Sequence, residues 1–189
     1  MASAGQVNLA VVGRSAVGKT TLIHRLLSHK DDTRYPSTKD WSPNVYQGND
    51  KIVLWDSPGF NELKDLNDEL SGDIYDGIVL VVKDRLSSDE KDALAKIMQA
   101  NPKRLIVVRL VSESEQPDDI DSAYATLYED YQSFRKDIFL VDLNDLDLYG
   151  YADLVRHLDN GATFRRAHPR SRPRPSGRQR GEDNGATPR

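Results

Sequence analysis

Eight residues near the start of the chain, Gly13 to Thr20, constrain its fold more than any other stretch. They read Gly-Arg-Ser-Ala-Val-Gly-Lys-Thr and lie between an apolar run, 7–12, and a segment, 21–27, whose apolar pairs recur at helical spacing. In this order of strand, loop and helix, the pattern GxxxxGK[ST] binds phosphate, because its glycines let consecutive backbone N–H groups turn towards a phosphate chain. The sequence therefore predicts a phosphate loop, the alternative being a plain strand-to-helix turn.

The loop residues predict separate roles at a nucleotide site. Lys19 would place its charge on the β- and γ-phosphates and Thr20 its hydroxyl on Mg²⁺, beside the positive end of the helix dipole. Arg14 is either a catalytic arginine, acting within the chain or across a dimer, or a solvent-facing side chain. The residues predicted to contact the nucleotide here are Gly13, Ser15, Ala16, Val17, Gly18, Lys19, Thr20 and Thr21.

A second motif, Asp-Ser-Pro-Gly at residues 56–59, follows a short buried strand, 37 residues after Lys19. Switch-type nucleotidases carry Asp-x-x-Gly at this place: the carboxylate holds Mg²⁺ through water, and the glycine N–H senses the γ-phosphate. We therefore predict Asp56 at the metal and Gly59 at the γ-phosphate. The alternative is an ordinary β-turn, since Asp, Pro and Gly are common turn residues.

The polar loop over residues 30–50 should supply a threonine that senses the γ-phosphate and completes the metal site. Thr33 and Thr38 are both available, and we favour Thr38, which lies 18 residues before Asp56. The predicted catalytic residues are then Lys19, Thr38 and Gly59, and the predicted metal ligands are Thr20, Thr38 and Asp56.

Phe60 follows Gly59, where a glutamine would orient an attacking water, so we expect slow hydrolysis. The sequence also leaves the identity of the nucleotide base undecided. A guanine site normally carries Asn-Lys-x-Asp after the fifth strand, whereas residues 109–112 read Arg-Leu-Val-Ser. Ser112 can accept only one of two guanine hydrogen bonds, and losing one such contact costs about 1 to 3 kcal/mol. Glu113 and Glu115 are close but shifted in sequence. We expect GTP or GDP, with ATP as the alternative.

The rest of the chain alternates apolar strands with helices, which predicts right-handed βαβ crossovers. The predicted fold is α/β, a P-loop NTPase of the Ras-like G-domain type, with a mostly parallel six-stranded sheet and helices on both faces. Its ligand would lie at the carboxyl ends of the strands. Strands are predicted over 7–12, 44–47, 51–55, 77–82, 105–111 and 138–141, and helices over 21–27, 61–70, 87–100, 120–134 and 151–158. Ser87, three residues before Glu90, predicts a capping box at the start of the 87–100 helix.

Charge divides the chain into an acidic domain and a basic tail. Residues 165–189 carry eight Arg and two acidic residues, a net charge of +6. Because the net charge of the whole chain is −4, residues 1–164 carry a net charge of −10. We predict a short extension over 1–6, a domain over 7–163 and a disordered Arg/Pro-rich tail over 164–189. The tail either attaches to an anionic partner, with a membrane surface expected and nucleic acid not expected, or is a solvated extension.

The motifs, taken in order, resemble the immunity-related GTPases, the interferon-inducible group of the dynamin-like and Ras-like superfamily. The resemblance rests on residues 13–20, on Ile-Val-Leu-Trp-Asp-Ser-Pro-Gly at 52–59 and on Ile-Phe-Leu-Val-Asp-Leu at 138–143, and it covers about residues 7–160. It implies GTP/GDP and Mg²⁺ binding, nucleotide-dependent homodimers, and action at intracellular membranes in host defence. Ser112 and Asp142 depart from that group's base-recognition Asp and closing-loop Ser.

These observations predict a GTPase with slow hydrolysis, in which nucleotide state switches loops 30–50 and 57–70. The alternative is a nucleotide-binding pseudo-GTPase that acts as a regulatory or scaffold module without turnover, suggested by Phe60 and Ser112. No cysteine is present for a disulfide or thiolate metal site, and no apolar run reaches the roughly 18 residues of a membrane span. We therefore expect a cytoplasmic protein, peripheral on intracellular membranes.

Overall fold

The computed structural model describes residues 6–27, 39–46, 52–60, 66–71, 74–83, 85–100, 104–112, 114–131 and 136–160. Several predictions fall on residues outside these ranges: Thr33 and Thr38 as γ-phosphate sensors, Glu113 as a neighbour of the base, most of the extension over 1–6, the first half of the helix over 61–70, and the tail over 164–189.

A six-stranded sheet forms the centre of the fold, with strand order β2-β3-β1-β4-β5-β6. All neighbouring strands run parallel except β2, which pairs antiparallel with β3 at one edge. This confirms the predicted α/β fold with a mostly parallel sheet. The strands are β1 Val7–Val12, β2 Ser42–Val45, β3 Ile52–Asp56, β4 Gly77–Val82, β5 Arg104–Leu110 and β6 Lys136–Val141.

The described residues form five helices, of which the first four lie between strands and the last follows β6: α1 Lys19–Leu26, α2 Asn67–Ser71, α3 Ser88–Ala100, α4 Pro117–Asp130 and α5 Tyr151–Asp159. Helix α4 begins three residues earlier than its apolar periodicity predicts, because the fixed φ of Pro117 suits a first helical turn. The predicted capping box at the start of α3 is present: the Glu90 amide donates to Ser87 Oγ, and the Ser87 amide donates to Glu90 Oε2.

Apolar side chains cover both faces of the sheet and form two clusters. One cluster joins the sheet to α1 and α5, as Leu22 and Leu154 show, and the other joins it to α2, α3 and α4. Within a strand the two clusters alternate: Leu9 and Val11 belong to the first, Ala10 and Val12 to the second. Burial on both faces explains why β4 is a continuous apolar run and why residues 105–108 of β5 are all apolar.

Candidate functional site

The loop between β1 and α1 has a backbone shape that strongly favours glycine at two positions. Gly18, which precedes α1, has φ 113, and a Cβ there would lie 2.6 Å from Leu110 Cδ1. A Cβ on Gly13 would lie 2.5 Å from the Val81 carbonyl oxygen, so the loop leaves β1 against the backbone of β4. Ala16 is also left-handed, at φ 58, which costs an L-residue about 1 to 2 kcal/mol. The loop is thus held in a strained, tightly curved form at the carboxyl edge of the sheet.

Lys19 lies in the first turn of α1 with its side chain folded back over this loop. Its Nζ donates to the carbonyl oxygens of Gly13, at 3.1 Å, and Arg14, at 3.2 Å. Burial lowers the pKa of Lys19, and the nearby Asp56 carboxylate partly opposes that shift. No acidic residue lies in the first turn of α1, so the positive end of its dipole is not offset there. The buried charge of Lys19 and the positive end of the α1 dipole therefore both favour binding of an anion at this loop.

Thr20 and Asp56 bring together the two motifs predicted from the sequence. Thr20 Oγ1 donates to Asp56 Oδ2 at 2.7 Å, although the residues are 36 apart in the chain. Asp56 is buried at the end of β3, and its position is fixed by the parallel pairing of Val11 with Asp56. A hydroxyl and a carboxylate converge here, and oxygen donors of this kind suit Mg²⁺.

Residues 57–60 lie directly on the phosphate loop. The Ser15 amide donates to the Phe60 carbonyl oxygen at 3.2 Å, and Arg14 and Phe60 form an isolated parallel bridge. A Cβ on Gly59 would lie 2.3 Å from Ser15 Oγ, so only glycine permits this approach. The Val17 amide also has a backbone partner, the Arg14 carbonyl oxygen at 3.3 Å. Two of the amides predicted to hold phosphate are therefore engaged within the protein in this state.

Arg14 is neither directed at the phosphate position nor simply solvated. Its guanidinium forms a two-point ion pair with Glu90 of α3, with Nη2 2.6 Å from Oε2. The sequence predicts Glu90 only as part of a capping box, and no local signal connects it to a loop 76 residues away. A cavity of about 160 Å³ lies between the loop and α3, and both residues line it.

The end of β5, where a guanine reader is expected, is built differently from the predicted pattern. Leu110 faces the phosphate loop at Gly18, and Leu143, after β6, would lie 3.4 Å from a Cβ at that glycine. Glu115 does not face a base: its two carboxylate oxygens accept from Arg109 Nη2 and from the Ser112 amide, the latter at 2.7 Å. Burial alone would raise the pKa of Glu115, but these hydrogen bonds and the Arg109 charge hold it below its ordinary value. Of the two acidic residues close to Ser112 in sequence, the one that the structure describes is thus used to close the loop.

Asp142 organises the loop after β6. It is buried, and its Oδ1 accepts from the amides of Asn144, at 2.8 Å, and Asp145, at 3.4 Å. This turn sets the backbone that carries Leu143 towards the phosphate loop. The Asp142 side chain therefore caps this turn.

The structure gathers at one edge the predicted residues that it describes: Gly13, Ser15, Ala16, Val17, Gly18, Lys19, Thr20, Thr21, Asp56 and Gly59. Among the described residues, no three acidic or histidine side chains cluster in a way that could hold a metal by themselves. In the same part of the chain, every helix is too short or too polar to cross a membrane. A metal at this edge would need ligands from the nucleotide as well as from Thr20 and Asp56.

A six-stranded sheet with a phosphate loop and an Asp-x-x-Gly motif at its carboxyl edge defines a P-loop GTPase of the Ras-like fold. The chain belongs to the family described as 50S ribosome-binding GTPase, whose profile matches residues 8–110. Membership of a GTPase family implies a guanine nucleotide as ligand. A search of curated proteins finds no match.

Solved structures support the same fold. The chain is similar to translation elongation factor SelB from Methanococcus maripaludis in complex with the GTP analogue GppNHp (18% identity, TM-score 0.61, covering 82% of this chain and 33% of that one). It is also similar to Era from Aquifex aeolicus bound to GDP·AlF4⁻, with 20% identity, a TM-score of 0.60, and coverage of 81% and 56%. A bacterial selenocysteine-specific elongation factor matches at 20% identity and TM-score 0.61, with coverage of 82% and 28%. The chain thus spans between about a quarter and just over half of these proteins.

Proposed function

We propose that this GTPase domain binds a Mg²⁺-nucleoside triphosphate, with GTP as the nucleotide, and hydrolyses it slowly. The observation that carries the proposal is the 2.7 Å hydrogen bond between Thr20 and Asp56 beside the buried Lys19. Two motifs distant in sequence meet there with the charges and oxygen donors that a triphosphate and its metal require.

The proposed roles follow from these positions. Lys19 binds the β- and γ-phosphates, and the amides of residues 15–21 hold the phosphate chain. Thr20 and Asp56 hold Mg²⁺, which when bound neutralises charge on the phosphates. Gly59 contacts the γ-phosphate through its amide. Thr38 joins the metal and γ-phosphate contacts as a prediction from the sequence alone.

A switch between nucleotide states has a physical basis in the phosphate loop. The Ser15 amide is held by Phe60, and Lys19 Nζ is held by two loop carbonyl oxygens. Phosphate oxygens would compete for both donors, because hydrogen bonds to a charged acceptor are stronger than those to a neutral carbonyl. Binding would therefore release residues 57–60 from the loop, which supports movement of the predicted segment 57–70.

Slow turnover is proposed because Phe60 occupies the place of a water-orienting side chain. Phe60 is 5% exposed and packs in the cluster with α2 and α3, so its ring is part of the core. A second candidate function is a nucleotide-dependent regulatory module without hydrolysis. Phe60 also favours this second function, because its phenyl ring has no hydrogen-bonding group that could orient an attacking water.

The finer assignments rest on the sequence. The resemblance to the immunity-related GTPases supports a nucleotide-dependent homodimer and action at intracellular membranes. The family match supports a GTPase but does not assign the chain to that subgroup. The division into 1–6, 7–163 and 164–189 is likewise a proposal. The tail would attach the domain to anionic lipid, and a chain ending at residue 164 should then bind anionic vesicles more weakly than the full chain; equal binding would make the tail a solvated extension.

One assay separates the two candidate functions. Phosphate release from GTP is measured over a range of protein concentrations for the natural chain, for Lys19→Ala and for Lys96→Ala. Lys96 is an exposed lysine on α3 and serves as a matched control. We expect slow release that Lys19→Ala abolishes and Lys96→Ala leaves unchanged, and that rises per molecule if dimers activate turnover.

Binding is measured in parallel so that loss of turnover is not confused with loss of nucleotide. Lys19-dependent binding of labelled GTP without phosphate release would favour the regulatory module. Competition by unlabelled GTP and ATP identifies the base, and a preference for ATP would contradict the proposed nucleotide.

A further inference from the structure

A second cavity opens at the carboxyl edge of the sheet, next to the cavity at the phosphate loop, with which it shares Lys83 and Arg85. Its volume is about 170 Å³, and it lies between the ends of β4 and β5 and the helix α4. None of residues 13–20 lines it. The lining residues are Lys83, Arg85, Arg109, Ala123, Thr126 and Leu127.

Three of these six side chains are cations, and no described residue that lines the cavity is acidic. Two described carboxylates pair with these cations. Glu115 pairs with Arg109, and Asp130 Oδ2 is 4.0 Å from Arg85 Nε while Asp130 Oδ1 accepts from Lys91 at 2.8 Å. Among the described residues the cations therefore outnumber the carboxylates, and bringing like charges together costs free energy that a bound anion would recover.

Arg109 is the most constrained of the three cations. Its side chain is 7% exposed, its Nη2 is bonded to Glu115, and its Nη1 is buried without a hydrogen-bond partner among the described residues. A buried guanidinium nitrogen without an acceptor is costly, and such a cost is usually retained where a ligand or a function uses the group. Lys83 and Arg85 are exposed, so both can reach an anion from the solvent side.

The direction of Arg109 separates this cavity from the nucleotide. Leu105 and Val107 of β5 pack in the cluster with α3 and α4, and by strand alternation Arg109 faces the same side. Leu110, the next residue, faces the phosphate loop at Gly18. The position that carries Asn in the guanine motif therefore directs a cation towards α4 in this chain.

We propose that Lys83, Arg85 and Arg109 form a binding site for a small phosphate-bearing anion, distinct from the nucleotide site. Arg and Lys together with a hydroxyl, here that of Thr126, are the groups that bind phosphoryl oxygens through charge-assisted hydrogen bonds. The cavity volume suits one phosphoryl group, either as inorganic phosphate or at the end of a small ester.

The test titrates inorganic phosphate into the full chain and follows heat of binding. The test variant carries Lys83→Glu and Arg85→Glu, both at exposed positions, so the fold should be kept. The matched control carries Lys96→Glu and Arg156→Glu, which make the same change of charge at exposed positions away from the cavity. A third protein, Lys19→Ala, removes the phosphate loop's own charge.

We expect phosphate affinity to fall by about tenfold or more in the test variant, since two charge-assisted contacts are replaced by repulsion. The control should bind phosphate as the natural chain does, and Lys19→Ala should keep binding at the Lys83, Arg85 and Arg109 site even where it loses binding at the phosphate loop. Because Lys19→Ala abolishes the proposed nucleotide turnover, failure of that function and failure of this site are distinguishable.

Two further arms identify the source of the anion. Glycerol phosphate that binds as inorganic phosphate does, with the same dependence on Lys83 and Arg85, supports an ester ligand, and binding of inorganic phosphate alone supports the free ion. Equal binding of acetate would overturn the proposal, because the site would then recognise charge and not a phosphoryl group. Absence of saturable binding, or binding lost only in Lys19→Ala, would also overturn it.

Discussion

Arg14 in the phosphate loop and Glu90 in the first turn of α3 form a two-point ion pair, with Nε 3.0 Å from Oε1 and Nη2 2.6 Å from Oε2. Glu90 is 1% exposed and also closes the capping box with Ser87. One carboxylate therefore fixes both the start of α3 and a side chain of the phosphate loop, so a change at either position should be felt at both.

Removing the arginine should destabilise the protein. Arg14→Ala leaves the Glu90 carboxylate buried without its charge partner, and we expect the free energy of unfolding to fall by about 1 to 3 kcal/mol. Denaturant titration measures the change. Arg156→Ala is the control: Arg156 pairs with Asp153 at the surface, where such pairs contribute about 0.2 to 1 kcal/mol. Equal losses in the two variants would show that the Arg14 pair is no stronger than a surface pair.

The same pair should make stability depend on pH in the acid range. Burial alone would raise the pKa of Glu90, but the Arg14 and Ser87 hydrogen bonds and the Arg14 charge lower it below the ordinary value of 4.5. The unfolded chain then binds this proton more readily than the folded chain, so the contribution is complete above about pH 4.5 and is lost as pH falls through the lowered pKa. In denaturant titrations over pH, the stability difference between the natural chain and Glu90→Gln should shrink on acidification. A constant difference would contradict this.

Much of the fold could be predicted because its signals are local. The apolar run of β4, the Ser87–Glu90 capping box and the phosphate loop each need only a few consecutive residues. The Thr20–Asp56 contact could also be predicted, because both motifs follow strands and neighbouring parallel strands end at the same edge of the sheet. The Arg14–Glu90 pair and the Arg109 cavity were not, because they depend on which side chains a tertiary fold brings together across α3 and α4.

Gly59 should resist substitution because it touches the phosphate loop. In Gly59→Ala the new Cβ would meet Ser15 Oγ at 2.3 Å and Ser15 Cα at 2.7 Å, so residues 57–60 must move away from the loop. We expect a loss of about 1 to 3 kcal/mol in stability, together with faster hydrogen exchange at the Ser15 amide. Gly150→Ala is a milder control, since its nearest contact would be 3.2 Å, to the Leu140 carbonyl oxygen. Unchanged exchange at Ser15 would mean that the loop contact survives.

Trp55 should matter more for stability than Trp41. Trp55 Nε1 donates at 3.0 Å to Oδ1 of Asn8, which is buried, so Trp55→Phe leaves that acceptor without this donor. The expected cost is about 1 to 3 kcal/mol. Trp41 donates to Glu69 at the surface, and Trp41→Phe should cost less because water replaces the bond. Thermal unfolding of the two variants checks the order, and a reversed order would contradict it.

Trp41 should report nucleotide binding by fluorescence. Its ring stacks on Tyr75, with centroids 5.2 Å apart at an interplanar angle of 27°, and its Nε1 donates to Glu69 of α2. These contacts join residues 39–46 to α2, and the two regions belong to the segments proposed to switch. Movement of either segment would change the surroundings of the indole ring. In a Trp55→Phe chain, where Trp41 is the remaining tryptophan, adding Mg²⁺ and a non-hydrolysable GTP analogue should shift the emission, whereas GDP should give a different spectrum.

Lys19→Ala in the same background is the control for this measurement and should show no shift, because it weakens binding of the phosphates. Direct binding of the labelled analogue establishes that the site of the Trp55→Phe chain is filled. An emission spectrum that stays the same when the analogue is bound would show that Trp41 and α2 keep their contacts in both states, and the switch would then be confined to residues 57–60 beside Ser15.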